Sequence, residues 1–361
     1  MKIGIDFDNT IAKYDKLFVD VALSEGLIAS ERDHYDKVSL RDYLRSQTHG
    51  ENIWMKLQGL VYGQYMSNAK LMPGFARFMF QCRQHGYQIY IVSHKTEYGH
   101  FDTKKISLRN EALKWMTHKK FFDSDYFNLH QKDIYFSDTR ADKITMINNL
   151  ECDYFIDDLP ELFSHQKFPE NTRKILFNEH RINSVNHSVH LVSDWQGVKH
   201  YLFGQETSED IQRLFAFLTM DLNSVHVKHL NGGGNSDIFH VVSTRGSEFA
   251  VKSYSTRLCD KRFRLSTEYN AIEFLRSKGI QNIPTPVDND HLLGLGVYQW
   301  INGEEIHIAT DHDLEQAVNF IRNLYYISQS ISLEYVDDAT EACLCADELI
   351  LQVEKRFDRL L

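Results

Sequence analysis

Short apolar runs alternate with longer amphipathic stretches through the first half of the chain. Several runs are apolar without a break, which is typical of parallel strands covered on both faces. These runs lie at residues 2–7, 88–92, 133–136, 154–156 and 174–177. Helical patterns between them cover residues 74–85, 106–118 and 142–150. Because this alternation is typical of βαβ units, the pattern predicts an α/β fold, with a doubly wound parallel sheet, over about residues 1–200.

A long insert separates the first two predicted strands. It covers about residues 14–72, is rich in charged and aromatic residues, and is too long for a simple connection between a strand and a helix. We expect it to form a helical cap over the edge of the sheet. The cap offers basic and aromatic side chains without a pattern that identifies a ligand: Arg32, His34, Arg41, Arg45 and Trp54.

The pattern changes after about residue 195. Residues 201–223 are predicted to form a helical linker, and residues 224–361 a second domain. Strand patterns flank a glycine-rich turn at 231–235, and a third strand and a helix over 264–278 follow. Further helical patterns cover 314–329 and 342–360. Because a hairpin precedes the helices, we expect an α+β domain rather than a repeat of the first fold.

Composition narrows the classes of protein to which the chain can belong. A length of 361 residues fits two domains, and 42% apolar with 25% charged residues is typical of a globular protein. The net charge of −10 leaves no overall basic surplus of the kind that a dominant nucleic-acid role normally shows, so we expect no nucleic-acid partner; a local basic patch is the alternative. No run approaches the ~18 apolar residues of a membrane span, so we expect no membrane partner. Five scattered cysteines favour reduced thiols and a cytoplasmic location.

Two carboxylates follow the first predicted strand, in the segment IGIDFDNT. Asp6 and Asp8 are separated by one residue. Ligand sites of open parallel sheets lie just beyond the carboxyl ends of strands. There one carboxylate can attack phosphorus, and the second can donate a proton to the leaving oxygen. Taken alone, the segment fits a cluster of helix N-caps equally well.

Polar residues also lie near the ends of the neighbouring strands. Ser93 follows QIYIV, Asp157 and Asp158 follow YFI, and Lys143 lies on the helix before the latter strand. A hydroxyl can bond a phosphoryl oxygen, carboxylates are ligands for Mg²⁺, and an ammonium can stabilise phosphoryl charge. Each residue alone is ordinary. Their order along the strands predicts a site for Mg²⁺ and a phosphorylated substrate.

At these residues the chain resembles the haloacid dehalogenase-like hydrolase superfamily. The resemblance covers about residues 1–200 and four motifs, at residues 3–10, 91–96, 141–149 and 155–161. It implies that Asp6 is the nucleophile and Asp8 the acid and base. It also implies that Ser93 and Lys143 bind the phosphoryl group.

The resemblance further implies a metal site and a reaction class. Mg²⁺ would lie on Asp6, on the backbone carbonyl of Asp8 and on Asp158, with Asp157 nearby. Because dehalogenases of this superfamily lack the acid at the position of Asp8, the resemblance favours hydrolysis of phosphate esters.

Several assignments remain open at this point. Thr10 and His94 are candidate substrate contacts, and a structural role is the alternative for His94. Lys104 and Lys105 are alternatives to Lys143 for the phosphoryl-binding lysine.

The second domain carries its own candidate ligand site. Gly232, Gly233 and Gly234 stand in the turn, where glycines let backbone N–H groups approach phosphates. Lys252 follows on the third strand, at the position where kinases hold ATP phosphates, and Glu268 on the next helix is its candidate ion-pair partner. A flexible hairpin and a surface salt bridge are the alternatives.

Residues 224–310 resemble the small lobe of the aminoglycoside and choline kinase-like phosphotransferases. The resemblance implies an ATP site formed by the glycines and Lys252, with adenine beside residues 299–301. Residues 297–305 resemble the hinge that follows this lobe in the family. There the transfer chemistry belongs to a large lobe, and the residues after 305 show no motif that matches it. We therefore expect either a fragment of a phosphatase–kinase fusion or a vestigial binding module.

Together these patterns predict a Mg²⁺-dependent phosphatase for a small phosphorylated metabolite, a sugar phosphate or a nucleotide. The reaction would pass through an aspartyl-phosphate. The alternative is a bifunctional protein whose second part binds ATP, either to phosphorylate a small molecule or for regulation.

Overall fold

The computed structural model divides the chain into two compact units, formed mainly by Met1–His229 and by the residues from Leu230 onward. The structure describes residues 1–30, 36–178, 188–204, 225–230, 236–243, 245–254, 264–303 and 306–329. Most of the predicted linker and the predicted helix over 342–360 lie outside these residues. The predicted domain boundaries therefore stay predictions.

The first unit alternates short strands with helices. Its strands are β1 (Lys2–Ile5), β2 (Ala12–Lys13), β3 (Lys70–Leu71), β4 (Gln88–His94), β5 (Ile134–Ser137), β6 (Tyr154–Asp157), β7 (Arg173–Phe177) and β8 (Val189–Val192). Its helices are α1 (Asp15–Ser24), α2 (Lys37–Ser46), α3 (Gly50–Tyr62), α4 (Phe75–Gln84), α5 (Leu108–His118), α6 (Arg140–Leu150), α7 (Pro160–Phe163) and α8 (Trp195–Phe203).

Six of these strands form one sheet in the order β5-β4-β1-β6-β7-β8, and all of its pairs are parallel. The predicted α/β class and the parallel sheet are confirmed. The edge strand β8 was not predicted. Two of its four residues are exposed, so its sequence shows no continuous apolar run.

Buried side chains hold the central strands against α6. Val92 and Phe155 pack in one cluster with Ile144 and Ile147 of that helix. Gly4 on β1 lies so close to this cluster that an added Cβ would be 2.5 Å from the Phe155 ring. The close packing fixes α6 relative to the ends of β1, β4 and β6.

A second group of aromatic rings anchors the loop that follows β1. Trp195 is fully buried and packs against Phe75, Phe78 and Phe177. Its indole N–H donates to the carbonyl oxygen of Thr10, at 2.9 Å. The loop that carries Asp8 is thereby tied to the core.

The insert between β1 and β4 is helical, as its sequence predicts. It begins and ends in the two-stranded ribbon β2–β3, in which Ala12 pairs with Leu71. Between these strands, α1, α2 and α3 pack on one another. Trp54 is buried among them and stacks on Phe18, with ring centroids 5.1 Å apart.

The part of the chain after α8 contains a five-stranded sheet and two helices in the described ranges, and the division between the two units falls within its first strand. Its elements are β9 (Val225–Leu230), β10 (Ser236–Ser243), β11 (Glu248–Tyr254), α9 (Arg264–Ser277), β12 (Pro286–Asp290), β13 (Leu295–Gln299) and α10 (Asp311–Gln329). The strand order is β12-β13-β11-β10-β9, and β11 pairs antiparallel with both β10 and β13. None of the helices in the described part of the chain has the length and apolarity to cross a membrane.

Candidate active site

The carboxyl ends of β1, β4 and β6 meet at one edge of the parallel sheet. Ile5 lies in register with Ile91 on one side and Ile156 on the other. The N–H of Asp6 continues this ladder by donating to the carbonyl oxygen of Ile156, at 2.9 Å. Asp6 therefore emerges beside Asp157, the last residue of β6.

Lys143 joins these two carboxylates. Its Nζ lies 2.5 Å from Oδ1 of Asp6 and 2.6 Å from Oδ2 of Asp157, and all three side chains are at most 8% exposed. The first turn of α6 places it there, since Thr139 caps this helix. Lys143 is thus a buried cation shared by two carboxylates.

The two alternative lysines lie elsewhere. Lys104 and Lys105 are both exposed, and Nζ of Lys104 donates to Oε1 of Gln64, at 3.0 Å. The structure therefore places Lys143, and neither of them, beside Asp6.

Burial and mutual repulsion shift the pKa values of the clustered groups. Burial raises the pKa of Asp6 well above its usual range, with Lys143 opposing and Asp157 adding to the shift. Burial and Asp157 raise the pKa of Asp158 to about 7. Burial acts to lower the pKa of Lys143, but the carboxylates of Asp157 and Asp6 outweigh it and raise that pKa. The cluster therefore holds more carboxylates than its own ammonium can neutralise.

The same carboxylates fit a divalent cation. One oxygen each of Asp6, Asp157 and Asp158 can be chosen so that all lie within 4.8 Å of one another. Oxygen ligands of this kind suit Mg²⁺. Asp157 also accepts from the backbone N–H of Leu159, at 2.9 Å, but a carboxylate has lone pairs for further partners.

These shifts predict how stability depends on pH and Mg²⁺. Without a divalent cation, the free energy of unfolding is expected to decrease as the pH rises from about 4 to about 7. The folded pKa of Asp158, about 7, exceeds its usual 3.8, so the folded chain binds more protons than the unfolded chain in this interval. Asp6 acts in the same direction. Because Mg²⁺ favours ionised carboxylates, it should raise the thermal midpoint more at about pH 8 than at about pH 5.

Thermal unfolding with and without Mg²⁺ at several pH values measures both effects. Asp158→Asn should weaken the pH dependence and the Mg²⁺ effect together. A Mg²⁺-induced shift of the same size at every pH would contradict the prediction.

Asp8 is held by two donors that the sequence analysis missed. The hydroxyl of Tyr14 donates to Oδ1 of Asp8, at 2.6 Å. Nζ of Lys95 lies 3.1 Å from Oδ1 and 2.9 Å from Oδ2. Burial and the charge of Asp8 raise the pKa of Tyr14 well above its usual range, so its hydroxyl remains a donor.

The position of Lys95 could have been predicted from the sequence. Side chains of an extended segment alternate between two sides, so Ser93 and Lys95 share one side and His94 the other. The structure shows this alternation, with Ser93 and Lys95 buried and His94 exposed. Nε2 of His94 lies 2.9 Å from the carbonyl oxygen of Asp138.

Two of the polar residues predicted near this edge carry buried hydroxyls. Among the described residues, Oγ of Ser93 and Oγ1 of Thr10 are buried without a hydrogen-bond partner. Such groups are uncommon in folded proteins, because leaving a buried donor unpaired costs about 1–3 kcal/mol.

Two successive hydrogen bonds connect the insert to Asp158 of the carboxylate cluster. Lys37 of α2 donates to Oδ1 of Asn9, at 3.1 Å, and to the hydroxyl of Tyr62, at 3.0 Å. Nδ2 of Asn9 in turn donates to Oδ2 of Asp158, at 3.1 Å. Asn9 has a φ of 60°, a conformation that asparagine tolerates better than most residues.

The other side chains noted in the insert make different contacts. Arg41 pairs with Asp42, and Arg45 pairs with Glu51, at exposed positions. Arg32 and His34 lie outside the described residues.

In the second unit, the structure brings Lys252 and Glu268 together. Nζ of Lys252 on β11 lies 2.6 Å and 2.7 Å from the two carboxylate oxygens of Glu268 on α9. Tyr254, two residues along the strand, packs against the same helix. The candidate phosphate-binding glycines 232–234 lie outside the described residues.

Comparisons with known proteins give limited similarity. No protein-family model matches the chain. A protein of Oceanobacillus iheyensis named "Putative nucleotidase" is 21% identical over 202 residues, which are 54% of this chain and 95% of that protein.

A solved structure, the ternary complex of APH(2")-IIa with streptomycin and ATP, is 19% identical with a TM-score of 0.30. That similarity covers 41% of this chain and 52% of the other, so the chain spans about half the length of that protein. A structural similarity of this size supports no conclusion. The chain is therefore similar over 202 residues to a protein named as a putative nucleotidase, and it has a mixed α/β fold with a buried acidic site.

Proposed function

We propose that the first unit is a Mg²⁺-dependent phosphomonoester hydrolase of the haloacid dehalogenase-like type. The observation that carries this proposal is the buried bridge from Lys143 to both Asp6 and Asp157, at the strand ends where Asp8 also lies. The name of the Oceanobacillus relative supports the same class of reaction and favours a nucleotide as the small phosphorylated substrate.

In the first half of the reaction, a carboxylate oxygen of Asp6 attacks phosphorus. The bond from phosphorus to the leaving oxygen breaks as an aspartyl-phosphate forms, and Asp8 donates its proton to that oxygen. Lys143, already in contact with Asp6, stabilises charge on the nucleophile and the phosphoryl oxygens. Ser93 and Thr10 supply hydroxyls that are unpaired in the structure.

In the second half, Asp8 takes a proton from water, and the water oxygen forms the new bond to phosphorus. Asp6 leaves as a carboxylate, and inorganic phosphate is released. Asp6, Asp158, Asp157 and the carbonyl of Asp8 would hold Mg²⁺, which supplies positive charge near the phosphoryl group when bound. Assigned in this way, the clustered carboxylates are either reactants or metal ligands.

A panel of phosphorylated metabolites tests the proposal. The purified chain with Mg²⁺ should release phosphate from members of a panel of nucleoside monophosphates and sugar phosphates, and EDTA should stop the release. We expect a nucleoside monophosphate to rank first. The absence of release from every ester, with Mg²⁺ present and the chain folded, would contradict the assignment.

For the second unit we propose an ATP-binding module. The ion pair between Lys252 and Glu268 favours this, because a lysine held by a helix glutamate is arranged to contact nucleotide phosphates. Titration with ATP and Mg²⁺ should raise the thermal midpoint, and Lys252→Met should remove that shift. Lys278→Met, which changes a lysine beside Phe274, is the matched control. An ATP-induced shift that Lys252→Met leaves unchanged would contradict the module.

A further inference from the structure

Donors contact both carboxylate oxygens of Asp8. Tyr14 donates to Oδ1, and the ammonium of Lys95 lies within 3.1 Å of each oxygen. A carboxylate offers about four lone-pair positions, and these contacts occupy about three of them. The position that remains is where a proton can pass to a leaving oxygen or from water. The contacts with Tyr14 and Lys95 therefore limit both the orientation of the Asp8 carboxyl group and the direction of its proton transfer.

The backbone of Lys95 is itself fixed. Its N–H donates to the carbonyl oxygen of Ser137, at 3.0 Å, and its carbonyl accepts from Nε of Arg109, also at 3.0 Å. The side chain is 2% exposed. A buried lysine that is anchored at both backbone groups has little freedom to move away from Asp8.

Aromatic rings complete the surroundings of the ammonium. Nζ of Lys95 lies 4.7 Å from the ring centroid of Tyr62 and 5.5 Å from that of Phe7. Ring faces attract a cation but accept no proton from it. Among the described residues, Asp8 is thus the acidic side chain that this ammonium contacts, and the pair is only partly buried because the Asp8 side chain is 18% exposed.

We propose that Lys95 is a positioning residue of the hydrolysis, which acts with Tyr14 by holding Asp8 toward the leaving oxygen. This inference rests on the proposed function. Lys95 differs in role from Lys143, which contacts the nucleophile directly. Esters of alkyl alcohols need protonation of the leaving oxygen far more than 4-nitrophenyl phosphate does. Replacement of Lys95 should therefore lower kcat mainly for alkyl esters.

A double-mutant cycle on two esters tests this role. The variants are Lys95→Met, Asp8→Asn and the double variant, assayed on 4-nitrophenyl phosphate and on the alkyl phosphate that the wild-type chain hydrolyses fastest. Because general acid catalysis contributes about 10²–10⁴-fold, Lys95→Met should lower kcat on the alkyl ester by roughly 10–100-fold, with KM and the aryl ester changed less than about threefold. The double variant should be no slower than Asp8→Asn, because Lys95 acts through Asp8.

Two further variants keep the test decisive. Tyr14→Phe removes one donor and keeps the ring, so it should show the same ester dependence even if Lys95→Met folds poorly. Lys114→Met, at an exposed pair with Glu111, should match the wild type.

Other results would overturn the inference. Equal losses on both esters, together with weaker inhibition by inorganic phosphate, would make Lys95 a phosphate ligand. Additive losses in the cycle would remove the coupling to Asp8. Release of no phosphate by the wild-type chain from either ester would overturn the proposed function and this role together, whereas the first two outcomes leave that function standing.

Discussion

Asp6→Asn is expected to abolish phosphate release, with kcat/KM lowered on the order of 10⁴-fold or more, as when other covalent enzymes lose their nucleophile. The amide cannot form the aspartyl-phosphate. The change keeps the size of the side chain and removes a buried carboxylate that is crowded by Asp157 and Asp158. The variant should therefore fold, which circular dichroism and thermal unfolding can verify.

The control for this substitution is Asp20→Asn. Asp20 pairs with Lys16 on the exposed side of α1, so its replacement should leave phosphate release unchanged. If the folded Asp6→Asn chain kept more than a tenth of the wild-type rate, Asp6 could not be the nucleophile.

Lys143→Met is expected to have the second largest effect, on stability and on activity together. Removing one partner of a buried ion pair costs about 3–5 kcal/mol, because the remaining charge is left without compensation. Here both Asp6 and Asp157 lose the ammonium. Activity should fall by at least about 10²-fold, as when a group that stabilises transition-state charge is removed.

Urea unfolding of Lys143→Met and of the control Lys114→Met measures the effect on the free energy of unfolding separately from the effect on activity. Exposed ion pairs contribute about 0–1 kcal/mol, so Lys114→Met should unfold nearly like the wild type. The destabilisation of Lys143→Met should be larger at about pH 8 than at about pH 5, since protonation relieves the unpaired carboxylates at low pH. A loss of stability below about 1 kcal/mol at both pH values would contradict the buried bridge.

The strand-end residues could be predicted because their positions follow from one-dimensional patterns. Asp6, Asp157 and Asp158 come directly after apolar runs, and a parallel sheet brings such ends to one edge. The helix pattern before β6 placed Lys143 beside them in the same way. The edge strand β8 was not predicted because two of its four residues are exposed, which interrupts the apolar pattern.

The surroundings of Asp8 were less accessible to sequence reasoning. Lys95 follows from simple alternation after Ser93, but the prediction stopped at the neighbouring His94. Tyr14 and Lys37 belong to the insert, and their contacts depend on how its helices pack against the loop after β1. No local period encodes that packing, so only the structure reveals those contacts.

The most direct test of the central claim is to trap the covalent intermediate on Asp6. Asp8→Asn should slow its hydrolysis, so acid quenching of this variant during turnover of 4-nitrophenyl phosphate, followed by peptide mass spectrometry, should find a phosphoryl group on the peptide that carries Asp6. Asp6→Asn combined with Asp8→Asn should show none. Phosphorylation at another residue, or an equal signal in the combined variant, would contradict the assignment of Asp6 as the nucleophile.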